Sequence, residues 1–242
     1  MRLWVFSDLH LTDSTSSLYQ AFLRVLHEPT TSHDCVVFSG DIFDLLVGDS
    51  SYFHEKYRDF FLAVERLASL GVKLHYIEGN HDFHLQKHFP DAFHFHAESV
   101  VITDLTSDPP KKIYIAHGDL VDQSDVAYLR MRKFLRGKSI EVLSYLIPGR
   151  VIEKIGGAFS RPLSRKSGDL PEYWPKERLD HLRSIYHRFA KAKHEEGYDF
   201  VVLGHCHDLD QVEPYYFNMG YPPVHRQYLF YHNGFKRLSF ER

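Results

Sequence analysis

The sequence predicts an α/β fold in which mixed β-sheets pack as a sandwich, helices flank them, and a helical cap is inserted in the second half of the chain. Three observations predict it. In the first third, short β-branched and aromatic runs alternate with stretches of helical period. Further along, strands come with less helix between them, as at Val100–Thr103 and then Ile113–Ala116. From about residue 122 to residue 169 the strand signal disappears, leaving helical stretches broken by Pro148-Gly149, Gly156-Gly157 and Pro162.

The elements follow in order. Leu3–Ser7, Cys35–Ser39 and Leu74–Glu78 read as strands, with helices around Ser17–His27 and Tyr57–Leu70 between them. That alternation predicts a sheet covered on both faces. In the run Phe89-Pro90-Asp91-Ala92-Phe93-His94-Phe95-His96, alternating His and Phe read as an amphipathic strand with a polar face rather than a metal site, and His88 falls under the same reading. After Ile113–Ala116 and the insertion, a helix over Lys176–Glu195 leads back to strands at Phe200–Leu203 and Gln227–Tyr231. We read residues 1–242 as a single domain and residues 122–169 as a cap within it.

Composition narrows the class. With 242 residues, of which 43% are hydrophobic, the chain can bury a full core. A formal net charge of -3 gives no general argument for nucleic acid. Cys35 and Cys206 are the only cysteines, which is no disulfide framework and suits a reducing cytoplasm. The apolar start Leu3-Trp4-Val5-Phe6 is too short for a secretory signal core, and no window approaches a membrane span.

The chemistry sits just past the strands. Asp8-Leu9-His10 follows the first, Gly40-Asp41-Ile42-Phe43-Asp44 the second and Gly79-Asn80-His81-Asp82 the third; His117-Gly118-Asp119 and Gly204-His205-Cys206-His207 follow two later ones. Ligands of open sheets gather outside the carboxyl ends of strands, so five polar clusters would converge on one rim. Each alone reads more readily as a turn or helix cap; five in series do not. Gly40, Gly79, Gly118 and Gly204 would let the backbone turn tightly there. Oxygen and imidazole donors without thiolate suit Mn, Fe or Zn, and four histidines argue against Ca or Mg alone. Cys206, alternating away from its neighbours, is expected not to be a ligand.

In order and spacing these motifs, D-x-H, G-D-x-x-D, G-N-H-D, H-G-D and G-H-x-H, resemble the calcineurin-like metallophosphoesterase superfamily from Asp8 to His207. The resemblance implies the metallophosphoesterase sandwich fold and two divalent metal ions, most commonly Mn. One ion would take Asp8, His10, Asp41 and His207, the other Asn80, His117 and His205, with Asp41 bridging. Two such ions roughly 3.5–4 Å apart acidify a water and clamp phosphate oxygens during in-line attack. By the same resemblance His81 contacts the phosphoryl oxygen or leaving group, Asn80 also reaches substrate, and Asp82 orients the His81 ring. Asp44 either orients a ligand histidine or caps a helix.

The cap narrows the substrate. From Tyr128 to Lys166 ten basic residues face only Glu141 and Glu153, a net of +8 in a chain of -3, leaving the remainder at -11. Phe134, Leu135, Ile140, Val142, Leu143, Leu146, Ile147, Val151, Ile152 and Ile155 recur among them at helical spacing. A basic amphipathic helix pair reads as a binder of an anionic membrane surface or lipid; an ordinary insertion would instead turn its apolar face to the core. Few aromatics for base stacking argue against a nucleic-acid partner. The run Asp125-Val126-Ala127-Tyr128-Leu129-Arg130-Met131-Arg132 after His117-Gly118-Asp119-Leu120 resembles the UDP-2,3-diacylglucosamine pyrophosphohydrolases of lipid A synthesis. That resemblance implies hydrolysis of a lipid-linked nucleotide to UMP and an acylated sugar phosphate at the cytoplasmic face of the inner membrane. Asp125, Tyr128, Arg132, Arg165 and Lys166 would then contact substrate. One position departs: the best-known branch carries Arg where this chain has His81, the ordinary superfamily residue. A soluble-nucleotide phosphodiesterase or phosphatase, with the cap only shaping the pocket, is the alternative.

Overall fold

The computed structural model describes residues 1–48, 51–86, 93–164 and 170–241, with the backbone alone for 157–164. In chain order its elements begin with β1 (Arg2–Phe6), α1 (Ser17–Val25), β2 (Asp34–Ser39), β3 (Leu46–Val47), α2 (Ser51–Lys56), α3 (Arg58–Ser69) and β4 (Lys73–Ile77). There follow β5 (Asp82–Phe83), β6 (His94–His96), β7 (Ser99–Asp104), β8 (Lys111–Ala116), α4 (Val126–Leu135), α5 (Lys138–Leu146) and α6 (Gly149–Ser164). The chain then forms α7 (Lys176–Glu195), β9 (Phe200–Leu203), β10 (Gln211–Val212), β11 (Tyr216–Asn218), α8 (Pro222–His225), β12 (Gln227–Tyr231) and β13 (Phe235–Ser239).

Two mixed sheets carry the architecture. The first runs β13-β12-β1-β2-β4-β6, with β1, β2, β4 and β6 parallel and β12 and β13 antiparallel. The second runs β10-β11-β9-β8-β7, parallel from β11 through β8 and antiparallel at both edges. A small pair, β3 and β5, lies apart. Side chains alternate along each strand, so β1 sends Leu3 and Val5 one way and Trp4 and Phe6 the other. Leu3, Val5, Val37 and Ile77 meet Ile113, Ile115, Val202 and Phe217 between the sheets. Trp4, Phe6, Val36 and Phe38 meet Phe22, Phe60, Val64 and Leu67 of α1 and α3. On the far side, Tyr186 and Ala190 of α7 pack on Val201, Leu203 and Tyr216. The result is a helix–sheet–sheet–helix stack.

Each strand expected from hydrophobic runs is present, and the additions are short or at edges. β13 returns from β12 through Asn233-Gly234, with Asn233 at φ 60° and Tyr231 opposite Phe235. Asn-Gly between two such runs is a strong hairpin signal that the run-based reading passed over. His94–His96 forms a strand, while His88 lies outside the described residues.

Asp104, at the end of β7, joins the two sheets. Its buried carboxylate accepts from the Tyr231 hydroxyl of β12 at 3.0 Å, the Thr106 amide at 3.0 Å and the Thr106 and Ser107 hydroxyls. Burial by itself would raise its pKa, but these donors outweigh it and hold the group down at about 2. A depressed carboxyl contributes stability that is complete above its unfolded value and disappears as pH falls through its folded one. We therefore expect Asp104→Ala to cost about 2 kcal/mol at neutral pH. The loss relative to wild type should shrink between about pH 4 and 2. Urea titrations across that range check it; a deficit independent of pH would assign the role to packing.

Candidate metal centre

Five loops leave the carboxyl ends of strands and meet at one rim. Asp8 and His10 follow β1, Asp41 follows β2, Asn80 and His81 follow β4, His117 ends β8's run, and His205 and His207 follow β9. The parallel order of β1, β2 and β4 in one sheet and of β8 and β9 in the other is what aims them at a common space.

Local backbone strain marks the same residues. Asp8, His10, Asp41, His205 and His207 all have positive φ, between 44° and 66°. Non-glycine residues enter that region at a cost of order 1–3 kcal/mol each, and persist where surrounding structure over-determines them. Their glycine neighbours divide in two. Gly40 and Gly118 adopt positive φ, as tight turns require. Gly79 and Gly204 do not; they are small because a carboxylate lies against them. A Cβ on Gly79 would sit 2.1 Å from Asp41 Oδ1, and one on Gly204 would sit 2.3 Å from Asp8 Oδ2.

The donor atoms fall into two groups that share Asp41. Asp8, His10 and His207 form one, with His207 Nε2 3.4 Å from Asp8 Oδ1 and 3.2 Å from His10 Nε2. Asp41, His117 and His205 form the other, with His117 Nε2 3.5 Å from Asp41 Oδ2 and 3.2 Å from Asn80 Oδ1. Asp41 Oδ2 is also 3.8 Å from His10 Nε2, so that one oxygen looks toward both groups. Its partner Oδ1 accepts the His81 amide at 2.9 Å. His10, Asp44 and His81 make a third cluster beside the first.

Protons do not satisfy this arrangement well. Burial drives His10 down to about 3 and His205 down to about 4, which leaves neutral imidazoles with lone pairs turned inward. Burial alone would also raise Asp8 and Asp41, but the histidines around them hold both below the ordinary carboxylate range. His117, which burial would lower, is lifted to about 9 by Asp41, Asp8 and Asp119. Its Nδ1–H donates to the Ser39 carbonyl at 3.0 Å, so the inward Nε2 is the atom that would hold either a proton or a cation. Oxygens and imidazole nitrogens facing one another at 3.2–3.8 Å, with no thiolate among them, fit two divalent cations.

Against this geometry stands a comparison of sequence. The family model for calcineurin-like phosphoesterases matches residues 1–209. The chain belongs to the calcineurin-like phosphoesterase family. It is therefore a metal-dependent phosphoesterase, of a family that works with divalent metals. The UDP-2,3-diacylglucosamine hydrolase of Proteus mirabilis is 30% identical over 209 residues, covering 83% of this chain and 80% of that protein. The protein of the same name from Pseudomonas fluorescens strain SBW25 is 27% identical over 210 residues, covering 83% and 77%. That from Photorhabdus laumondii subsp. laumondii is 30% identical over 153 residues, and the match spans 61% of its length.

Several residues of this phosphoesterase have partners that the sequence did not name. Asp82 does not orient the His81 ring. Its carboxylate accepts the amides of Asp41 (2.9 Å), Ile42 (2.7 Å) and Gly79 (2.8 Å) and the Tyr76 hydroxyl (2.6 Å). Burial, with Asp41 alongside, lifts it to about 7. The His81 ring is held instead by Asp44, whose backbone carbonyl accepts from Nδ1 at 2.8 Å. Arg132 is not an open guanidinium: it donates to Asp119 and to the Ala97 carbonyl. Tyr128 also donates to Asp119, at 2.9 Å, while its ring lies 5.5 Å from that of His205. Asp125 is the N-cap of α4, accepting the Tyr128 amide. Arg165 and Lys166 lie outside the described residues. Cys206 accepts a hydrogen bond from Asn218 and lies outside the donor groups.

Two contributors escaped the sequence reading. Arg136, the C-cap of α4, donates to the carbonyls of Glu78 and Gly79 and pairs with the Glu78 carboxylate, clamping the loop that carries Asn80. Tyr221 covers the rim, its ring 4.5 Å from that of His207 and 5.7 Å from that of His10. Neither belongs to a motif. Beside the rim, a cavity of about 390 Å³ opens between Asp119, Tyr128, Trp174, Arg178, His205 and His207.

The Gly79 contact supplies a test. We expect Gly79→Ala to displace the Asp41 carboxylate, lose at least one bound cation by elemental analysis, and lower turnover roughly a hundredfold. Two cations and ordinary turnover in a folded variant would show that the loop absorbs the methyl without moving Asp41.

Proposed function

We propose that this phosphoesterase hydrolyses the pyrophosphate of a UDP-acylglucosamine-type lipid, releasing UMP and an acylated sugar phosphate. The observation that carries this reading is the solvent-facing surface of α4, α5 and α6. Val126, Met131, Phe134, Val142, Leu143, Leu146, Val151 and Ile155 are all exposed, Leu146 by 74% and Phe134 by 67%. No residue of α4 is buried, and in α5 only Ser144 is. Arg130, Lys133, Lys138, Arg150 and Lys154 are exposed among them. An ordinary insertion would bury that apolar stripe. Apolar area at about 25 cal/mol per Å² suits acyl chains, and cations at about 1 kcal/mol each suit an anionic bilayer. A soluble nucleotide would need only the cations. The names of the relatives favour the same substrate class.

Asp8, His10, Asp41 and His207 would hold one cation and Asp41, Asn80, His117 and His205 the other, with Mn our choice of metal and Fe or Zn the alternatives. When bound, the cations supply the positive charge that draws in phosphoryl oxygens and acidifies water. The chain's residues do the rest. His81 has its Nδ1–H committed to the Asp44 carbonyl, which leaves Nε2 for other partners. Burial would lower its pKa, yet Asp41 and Asp44 raise it, so it is equipped to carry a proton at Nε2. There it would donate to a phosphoryl oxygen or to the leaving group. Asp82 would keep the Asp41 and Gly79 loops in register, and Asp119 would pin α4 through Tyr128 and Arg132. Among the described residues no helix is long and apolar enough to cross a membrane. We place the enzyme at the cytoplasmic face of the inner membrane, held peripherally by the cap.

Two outcomes follow. His81→Ala should lower kcat by roughly 10²–10⁴ with cation content unchanged, and the loss should shrink for aryl esters with good leaving groups. Equal losses on good and poor leaving groups would remove the acid role. Separately, Leu143→Asp with Leu146→Asp should abolish turnover of the acylated substrate and spare a small aryl phosphodiester. If both activities fall together in a folded variant, or the wild type does not prefer the acylated substrate to its deacylated form, the soluble-nucleotide alternative replaces the lipid reading.

A further inference from the structure

A second imidazole cluster lies on the strands rather than on the loops. β6 is the edge strand of the first sheet and pairs with β4, placing His75 opposite His94 and Ile77 opposite His96. His94 and His96 are two apart and share a face, and cross-strand partners share a face, so His75 joins them. The face is the one turned toward the second sheet, because Ile77 belongs to the core between the sheets while Phe93 and Phe95 pack on the helix side. Among the described residues, three imidazoles therefore lie at the edge of the sandwich, His94 exposed and His75 and His96 half-buried.

We propose that His75, His94 and His96 form a separate site for a transition-metal ion of the Zn, Ni or Cu type. His75 Nδ1 and His96 Nε2 are 3.0 Å apart, with rings inclined by 29°. Two nitrogens on a tetrahedral ion at 2.0–2.1 Å are separated by about 3.4 Å, so a small parting of the rings admits one. In the main centre, His10 Nε2 and His207 Nε2 lie 3.2 Å apart, though with rings nearly perpendicular. The His94 ring is 5.2 Å from that of His75 and its side chain is exposed, so a third nitrogen would join the pair by rotation about its own torsions. Burial, with His96, His94 and Lys73 adding to it, keeps His75 down at about 4, and burial with His94 lowers His96. Both are thus neutral near pH 7, the form that binds metal. Imidazole donors select Zn, Ni or Cu over Mg or Ca. Such an ion would tie the edge strand β6 to β4.

The test is the stoichiometry of Zn²⁺ on the full chain, by calorimetric titration and by elemental analysis after dialysis. Wild type should take three equivalents, and His94→Gln with His96→Gln should take two while hydrolysing an aryl phosphodiester as before. His94→Gln alone, at an exposed position, should raise the half-saturating Zn²⁺ of the third equivalent at least about tenfold, as losing even an outer-shell partner does. Two equivalents in the wild type, or a third that survives the double variant, would overturn the site and leave His75 and His96 a pair sharing one proton. Because the main centre is read by hydrolysis and this site by the third equivalent, failure of one is distinguishable from failure of the other.

Discussion

Asp82 holds together the two loops on which the metal centre stands. One fully buried carboxylate receives three backbone amides, from Asp41, Ile42 and Gly79, and the hydroxyl of Tyr76 beneath them. The loop after β2 and the loop after β4 are thereby fixed to each other. The Asp41 carboxylate then lies against Gly79, so closely that no side chain fits there. Asp41 returns a hydrogen bond to the second loop through the His81 amide. Unpaired buried amides would each cost about 1–3 kcal/mol, so this reciprocal arrangement resists opening from either side.

Around that clamp the centre concentrates charge where water is excluded. Asp8 and Asp41 are buried, and burying an ion costs several kcal/mol unless it is well compensated. Part of the compensation is fixed: the His205 amide donates to Asp8, and the His81 amide to Asp41. The inward oxygens and the neutral nitrogens of His10 and His205 lack protons to share, and a pair of cations would answer them. The strained φ values at five of these residues belong to the same constraint, since each must turn back sharply from a strand end to reach a common point.

The cap obeys a different balance. Its attachment is polar: Arg136 grips the Glu78–Gly79 backbone, and Asp119 takes both Tyr128 and Arg132. With these polar anchors at the base, Ile152 of α6 still packs on the core, while Met131, Phe134, Val142, Leu143, Leu146, Val151 and Ile155 stay open to solvent. The basic residues thus separate into anchors such as Arg132 and Arg136 and exposed charges such as Arg130 and Lys133, a division that net charge alone cannot express.

Periodicity and strand-end motifs were sufficient for the layers and for the residues of the rim, because both are written in local patterns. Alternation placed Leu3 and Val5 opposite Trp4 and Phe6, and an acid, asparagine or histidine one to three residues beyond a buried strand marked each loop. Short strands such as β10 and β11 were illegible, being two or three residues long and stabilised by pairing rather than by their own pattern. Partnerships across the chain were illegible as well. Nothing in the run Gly79-Asn80-His81-Asp82 says that Asp82 serves the amides of Asp41 and Ile42 instead of the neighbouring imidazole. Nor could it show that His75 lies beside His94 and His96 on a shared face. The sequence by itself determined which side chains are available and which face of each strand they occupy, since those follow from covalent order and backbone period. Tertiary structure alone decided which donor meets which acceptor, because distances between loops from different strands depend on sheet order and register.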